Sequence, residues 1–239
     1  LLYKVFLDST KGDFMKRIIL PIVIILLTLS SCSYTTMVGG GETVIINYDY
    51  SDFEKVSVSS GMKVNIIQSD SYSIEVKGGD RTLEYLAVDV EGDKLKFYYT
   101  ERSLVSKGEV MITINMPKLT GLSLSGGSRG KINMENEDEH FLLNLSGGSA
   151  FKGSLKCQNI KVNLSGGSSS QISGNGKNLF LNSSGGSIFN MKEFVVKEAE
   201  IELSGGSNGS LNIEGTLNTS QSGGSHLQYY GTPNLGNTS

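Results

Sequence analysis

Two segments of the chain carry the spacing of a catalytic serine. Gly126-Gly127-Ser128-Arg129-Gly130 and Gly205-Gly206-Ser207-Asn208-Gly209 both match G-x-S-x-G. In that motif a strand-to-helix turn exposes the serine hydroxyl, and a carboxylate and a histidine activate it. The chain has two histidines, His140 and His226. His140 closes an acidic stretch, Glu135-Asn136-Glu137-Asp138-Glu139, and no helix-forming run follows either serine. Acyl transfer is therefore not expected. The acidic stretch could hold Ca²⁺ weakly through its oxygens, but it lacks the spaced Asp/Asn-Gly pattern of a dedicated loop. A solvated acidic loop, without metal, is the expectation. Cys157 has no histidine near it in sequence to activate the thiol and reads as a small buried hydrophobe. A polysaccharide-cleaving enzyme would need clustered carboxylates with basic residues on one face. The region after residue 120 holds a single arginine, Arg129, and scattered acids. No cofactor is implied, and the expected class is non-enzymatic.

The serine motifs belong to a repeat. Ser-Gly-Gly-Ser recurs six times, at 125–128, 146–149, 165–168, 184–187, 204–207 and 222–225. The spacings are 21, 19, 19, 20 and 18 residues, a period that marks a solenoid. Ahead of each motif, apolar residues alternate with polar ones. The paired positions, apolar in most copies, are Leu122/Leu124, Leu143/Leu145, Val162/Leu164, Leu181/Ser183, Ile201/Leu203 and Thr219/Gln221, with Ser123, Asn144, Asn163, Asn182 and Glu202 between them. Phe141, Ile160, Leu179, Ala199 and Leu217 add a further apolar column. This is the pattern of half-buried strands.

Twenty residues at ~3.3 Å make a circuit of roughly 65 Å, enough for two or three short strands per coil. Coils stacked in parallel at ~4.8 Å would rise about 29 Å over six. The Gly-Gly pairs are the expected corners: Gly126 and Gly127, Gly147 and Gly148, Gly166 and Gly167, Gly185 and Gly186, Gly205 and Gly206, Gly223 and Gly224. Glycine takes left-handed backbone angles without steric cost. The flanking serines should stack at a spacing too wide for hydroxyl–hydroxyl bonds, and so bond corner backbone or water. A second apolar set after each corner includes Ile132/Met134, Phe151/Leu155, Ile172, Phe189/Met191, Leu211/Ile213 and Leu227/Tyr229.

Residues 42–119 are also β-forming but less regular, and are expected to cap one end. Gly78-Gly79-Asp80 and Glu91-Gly92-Asp93 read as hairpin turns. At the other end, Tyr229 and Tyr230 would form a lid and Pro233 would stop pairing. The fold class is all-β: a parallel β-solenoid of about 20 residues per coil over 120–239, with a β N-terminal cap. Net charge is −3, from 21 Lys and Arg against 24 Asp and Glu, which argues against a nucleic-acid partner.

The chain also carries an address. Met15-Lys16-Arg17 precedes an apolar run from Ile18 to Leu27, and Leu29-Ser30-Ser31-Cys32 follows. A basic head with a short apolar run is a secretory signal, too short to span ~30 Å of hydrocarbon. Leu29 to Cys32 looks like a lipobox, with Cys32 as the lipid-bearing first residue of the mature chain. The expected organisation is 1–14 as an upstream mis-start, 15–31 as the signal, and 32–41 as a linker. Ser33 in place of aspartate favours the outer membrane; periplasmic or surface facing stays open.

Phe53-Glu54-Lys55-Val56-Ser57-Val58, Val64 to Asp70, Val110 to Leu119 leading into Leu124-Ser125-Gly126-Gly127-Ser128, and the closing Tyr230-Gly231-Thr232-Pro233 together resemble the auto-transporter adhesin head domain, also called the GIN domain. The resemblance covers about 45–235. It implies a secreted or lipid-anchored envelope protein with a right-handed β-helix and no catalytic residues to carry over. The sequence shows neither a heptad stalk nor a membrane barrel, so self-export is not expected. The expected partners are the membrane, through lipidated Cys32, and a protein or glycan ligand; homo-oligomerisation is left open. The alternative is a β-helix enzyme or binding protein acting on polysaccharide.

Lipidation has a direct test. A fatty-acid analogue fed to expressing cells should label the wild type and not Cys32→Ala; equal labelling of both would remove the lipobox.

Overall fold

A computed structural model describes residues 36–38, 40–100, 104–106 and 108–238. Cys32, the signal and the upstream segment lie outside the described residues. Short strands make up the N-terminal part: β1 (Thr36–Val38), β2 (Thr43–Tyr48), β3 (Lys55–Val58), β4 (Lys63–Gln68) and β5 (Ser73–Gly79). One helical turn, α1 (Asp80–Leu83), leads to β6 (Leu86–Glu91), β7 (Lys94–Tyr99), β8 (Leu104–Ser106) and β9 (Met111–Met116). The repeat begins at β10 (Gly121–Leu124) and continues in β11 (Arg129–Leu145), β12 (Ala150–Leu164), β13 (Ser169–Ser183), β14 (Ile188–Leu203) and β15 (Asn208–Gln221). It ends with β16 (His226–Tyr230) and β17 (Asn234–Thr238).

The repeat strands stack in parallel, each in register with the next. Each full coil is one long bent strand of 14 to 17 residues, not two or three short ones. The bends are taken up by register shifts, such as those between Gln171 and Ser173 and between Met191 and Val195, and by special backbone. At Gly174 φ is +114°, and a Cβ there would lie 2.0 Å from Leu155 O. Bulges of this kind increase local bending without ending the ladder. The acidic stretch 135–139 lies within β11, beside one such shift between Asn133 and Glu137; it is strand, not loop.

Pairing runs without a break into the N-terminal part. β10 lies on β3 and β11 on β4, while β7 and β9 lie on the far side of β3 and β4, all in parallel. Ser59-Ser60-Gly61-Met62 is therefore a further corner of the stack, which the repeat pattern alone did not reveal. Ser60 and Gly61 have φ of +62° and +81°, and a Cβ on Gly126 would stand 3.2 Å from Ser60 N. Antiparallel pairs β2–β5, β5–β9 and β6–β7 finish this end. Gly92 at φ +61° turns the β6–β7 hairpin, as expected. Gly78-Gly79-Asp80 makes no hairpin; the chain enters α1 there. Nor does Pro233 stop pairing, since β17 follows it and pairs with β15.

One apolar core runs from Phe53 to Leu227. The expected inward columns are in it, with Leu145 at 2% and Leu164 at 3% exposure, except in the last coil, where Thr219 is half-buried and Gln221 exposed. Tyr229 is a further exception: it sits on Leu211 in the last rung and is 43% exposed. Phe194 and Val196, which the repeat pattern did not single out, are fully buried beyond the bulge in β14. Large and small residues alternate along one column: Gly130, Phe151, Ser170, Phe189 and Gly209 are successive partners. A Cβ on Gly209 would fall 2.0 Å from the Phe189 ring, so the ring occupies the space that the missing side chain leaves.

The corners are four-residue turns locked by their last serine. Ser128, Ser149, Ser168, Ser187 and Ser207 are fully buried. Ser128, Ser149, Ser187 and Ser207 each donate Oγ–H to the carbonyl of the first serine of their motif at 2.8 Å. The glycines are not uniform. Both glycines have positive φ in the first three corners: Gly126 and Gly127, Gly147 and Gly148, Gly166 and Gly167. Only the first does in the last three, namely Gly185, Gly205 and Gly223. The φ signs are those of a type I′ turn first and a type II′ turn later. Gly186, Gly206 and Gly224 thus need no left-handed backbone, contrary to the expectation for each pair. The central peptide turns over between the two types, and the corner ladder reverses with it. Gly127 N donates forward to Gly147 O at 2.9 Å, whereas Gly206 N donates back to Gly185 O at 2.7 Å.

Two predictions follow from this packing. A Cβ on Gly166 would add a 3.1 Å contact with Gly147 N to a φ of +63°; Gly167 has φ +76° but open space; Gly186 has neither constraint. Left-handed backbone costs an L-residue ~1–2 kcal/mol. Thermal melts should therefore rank Gly166→Val as most damaging, then Gly167→Val, with Gly186→Val near wild type. Equal melts for all three would refute the ordered corner. For the core, Leu164→Ala should cost ~2–5 kcal/mol. Asn163→Ala should cost about 1 kcal/mol, more than for a free surface residue, because Asn163 Nδ2 donates to Asn144 Oδ1 at 2.8 Å. Urea titrations that put the larger loss at Asn163 would overturn the register.

Candidate functional site

Strand alternation turns every second residue outward, and in-register stacking lines those residues up across coils. Ahead of the corners this makes three outward-facing columns, half-buried at most of the asparagines and exposed at the glutamates. Nearest the corner stand Ser123, Asn144, Asn163, Asn182, Glu202 and Ser220. Two residues upstream are Gly121, Leu142, Lys161, Phe180, Glu200 and Asn218, with Lys55 continuing the row. Furthest out are His140, Asn159, Asn178, Glu198 and Thr216. The face is hollow. A groove of about 620 Å³ follows the first column, and one of about 780 Å³ follows the other two.

Amide side chains bond along the stack. Asn144 Nδ2 donates to Ser123 Oγ at 3.3 Å, Asn163 Nδ2 to Asn144 Oδ1 at 2.8 Å, and Asn178 Nδ2 to Asn159 Oδ1 at 2.7 Å. The first ladder stops at Asn163; the next residue of the column, Asn182, has a shielded Oδ1 with no hydrogen-bond partner. Beyond it β14 places Glu198, Glu200 and Glu202 side by side, and none of them has an ion-pair partner among the described residues. Lys161 Nζ sits 5.0 Å from the centre of the half-buried Phe180 ring. At the N-terminal end Lys55 Nζ donates to Asp93 Oδ2 at 2.7 Å. That bond holds the Asp93 carboxyl below its ordinary range. The basic end of the face is therefore charge-compensated by this pair, and the acidic end is not.

The G-x-S-x-G matches make no nucleophile. Ser128 and Ser207 are fully buried, spend their hydroxyl protons on the corner carbonyls, and open strands instead of helices. His140 and His226 are exposed, and His140 Nε2 lies 3.5 Å from Glu139 Oε1. Cys157 is 6% exposed. Among the described residues no group of three or more His, Cys, Asp or Glu is placed to hold a metal ion, and no helix is long and apolar enough to cross a membrane. These columns were legible as outward positions, but the sequence reading drew only the corner column from them. Phe180 and Lys161 lie in a second outward column that the same alternation defines.

Residues 52–233 match the family described as "Putative auto-transporter adhesin, head GIN domain". The chain belongs to this family. Its fold recurs in solved structures of low sequence identity. A protein of Bacteroides fragilis described as a "putative adhesin" superposes with a TM-score of 0.79 at 18% identity, covering 84% of this chain and 94% of that one. One of Parabacteroides distasonis, described as a "putative lipid binding protein", gives 0.64 at 16%, covering 85% and 96%. A further "putative adhesin", from Parabacteroides merdae, gives 0.62 at 15%, covering 85% and 98%. No curated protein matches the sequence significantly.

Proposed function

We propose that this GIN-domain chain is a non-enzymatic, adhesin-like module of the cell envelope, anchored to the outer membrane by lipid on Cys32, that holds its partner on the three-column face. One observation carries the reading. That face sets amides, carboxylates and an aromatic ring at a fixed repeat on a backbone whose own hydrogen bonds are already made in the parallel ladder. Rigid presentation lowers the entropy lost on binding, and a stacked array of modest contacts suits attachment better than turnover. Membership of the adhesin-head family supports the same role.

Attachment of cells to a mucin coat, which offers protein and glycan together, tests the reading. Cells carrying the double variant Phe180→Ala/Glu200→Lys should attach about fivefold less than wild type, a loss of ~1 kcal/mol, at equal surface abundance and equal melting temperature. Undiminished attachment would show that the face is not the binding surface.

A further inference from the structure

The two grooves run side by side along the axis as one hollow, and this groove also selects a class of ligand. Every strand beneath it, β11 through β14, is paired on both sides. It therefore offers no open edge to which an extended peptide could add as a strand. Nor does the groove hold an arginine, a side chain that often anchors protein partners. What it does hold is amides in ladders. An amide that gives one N–H to its neighbour still has a second N–H and a free acceptor lone pair. Asn144, Asn163, Asn159 and Asn178 thus show donors and acceptors together, which is what the vicinal hydroxyls of a sugar require. The unpaired carboxylates of Glu200 and Glu202 add acceptors for hydroxyl protons. The carboxylates of Glu198, Glu200 and Glu202 outnumber Lys161, the lysine of the face without an ion pair among the described residues, and so repel an anionic chain. The Phe180 ring, steadied by Lys161, gives an apolar patch for the C–H face of a pyranose. The polar groups recur once per coil, at ~4.8 Å, close to the step between successive hexoses in an extended chain.

We infer that the groove binds a neutral, extended polysaccharide lying along the solenoid axis, one sugar to a coil. This rests on the reading of the face as the binding surface. Because each coil contributes a small set of contacts, affinity grows with chain length until the groove is filled.

Titration of the full-length protein with cellohexaose, mannohexaose and hexagalacturonate, followed by calorimetry, tests the inference. One or both neutral hexasaccharides should bind, more tightly than the corresponding disaccharide, and hexagalacturonate should not. Phe180→Ala and Asn163→Ala should each weaken the neutral complex by about tenfold. Thermal melts identify any variant that has lost its fold, and Glu200→Gln, which changes only charge on an exposed site, should admit hexagalacturonate. Three results would overturn the inference: no neutral hexasaccharide binds; one binds equally well to all variants; or deca-lysine binds at the glutamate row while the neutral sugars do not. If mucin attachment still depends on Phe180 and Glu200 but no neutral sugar binds, the ligand class falls and the face survives. If attachment is unaffected by the face variants, the face itself is wrong.

Discussion

A coil of this fold can bury its apolar side only if the next coil repeats its path in register. A single strand of 14 to 17 residues has no second layer of its own to pack against. Its core is supplied by the opposite side of the circuit and by the coils above and below. Register therefore has to survive the corner, where a sharp turn would otherwise let neighbouring coils drift. The corner serines prevent this. A buried hydroxyl closes the turn onto its own first carbonyl at Ser128, Ser149, Ser187 and Ser207, and in two coils the hydroxyl reaches the coil before: Ser149 Oγ lies 3.0 Å from Leu124 O and Ser168 Oγ 3.2 Å from Leu145 O. Leaving such a hydroxyl unbonded in a buried place would cost ~1–3 kcal/mol.

The inside of the stack obeys the same constraint. Because partners sit directly above one another, two large rings in one column would collide, and the alternation of Gly130, Phe151, Ser170, Phe189 and Gly209 avoids this. Departures from the period of the motif are absorbed as bulges. The longer coil of β14 inserts Phe194 opposite Gly174, and its ring also lies over Gly176, where a Cβ would meet it at 3.1 Å. In-register stacking orders the outside equally. The same alternation that sends Leu145 and Leu164 inward sends Asn144 and Asn163 outward, so the outward columns come with the core. A change in register would lose both together.

Much of this was written in local sequence, because a repeat states its own register. The alternation before each Ser-Gly-Gly-Ser gave the inward columns, and the Gly-Gly pairs gave the corners. The extra corner at Ser60-Gly61 was hidden because serine and methionine stand where the repeat has glycine and serine. Non-glycine residues at positive φ carry no simple signal. The insertion of β5 to β9 between β4 and β10 was hidden for another reason. Parallel neighbours there are distant in sequence, and nothing local says that β10 returns to β3 instead of following β9.

By itself the sequence determined the all-β class, the period of the coil, the inward columns and where the chain must turn, since each depends on spacing within a few residues. It also separated the serine motifs from catalysis, because a repeat accounted for them. Tertiary structure decided the rest. Whether a corner glycine needs left-handed backbone depends on the orientation of one peptide, and that is set by which neighbouring coil its N–H reaches. Gly167 and Gly186 have the same local sequence and different φ signs. Whether an outward asparagine is solvated or part of a ladder depends on the residue one coil away: Asn163 finds Asn144, while the Oδ1 of Asn182 finds no partner. Those relations arise between residues about twenty positions apart and exist only when the coils are stacked.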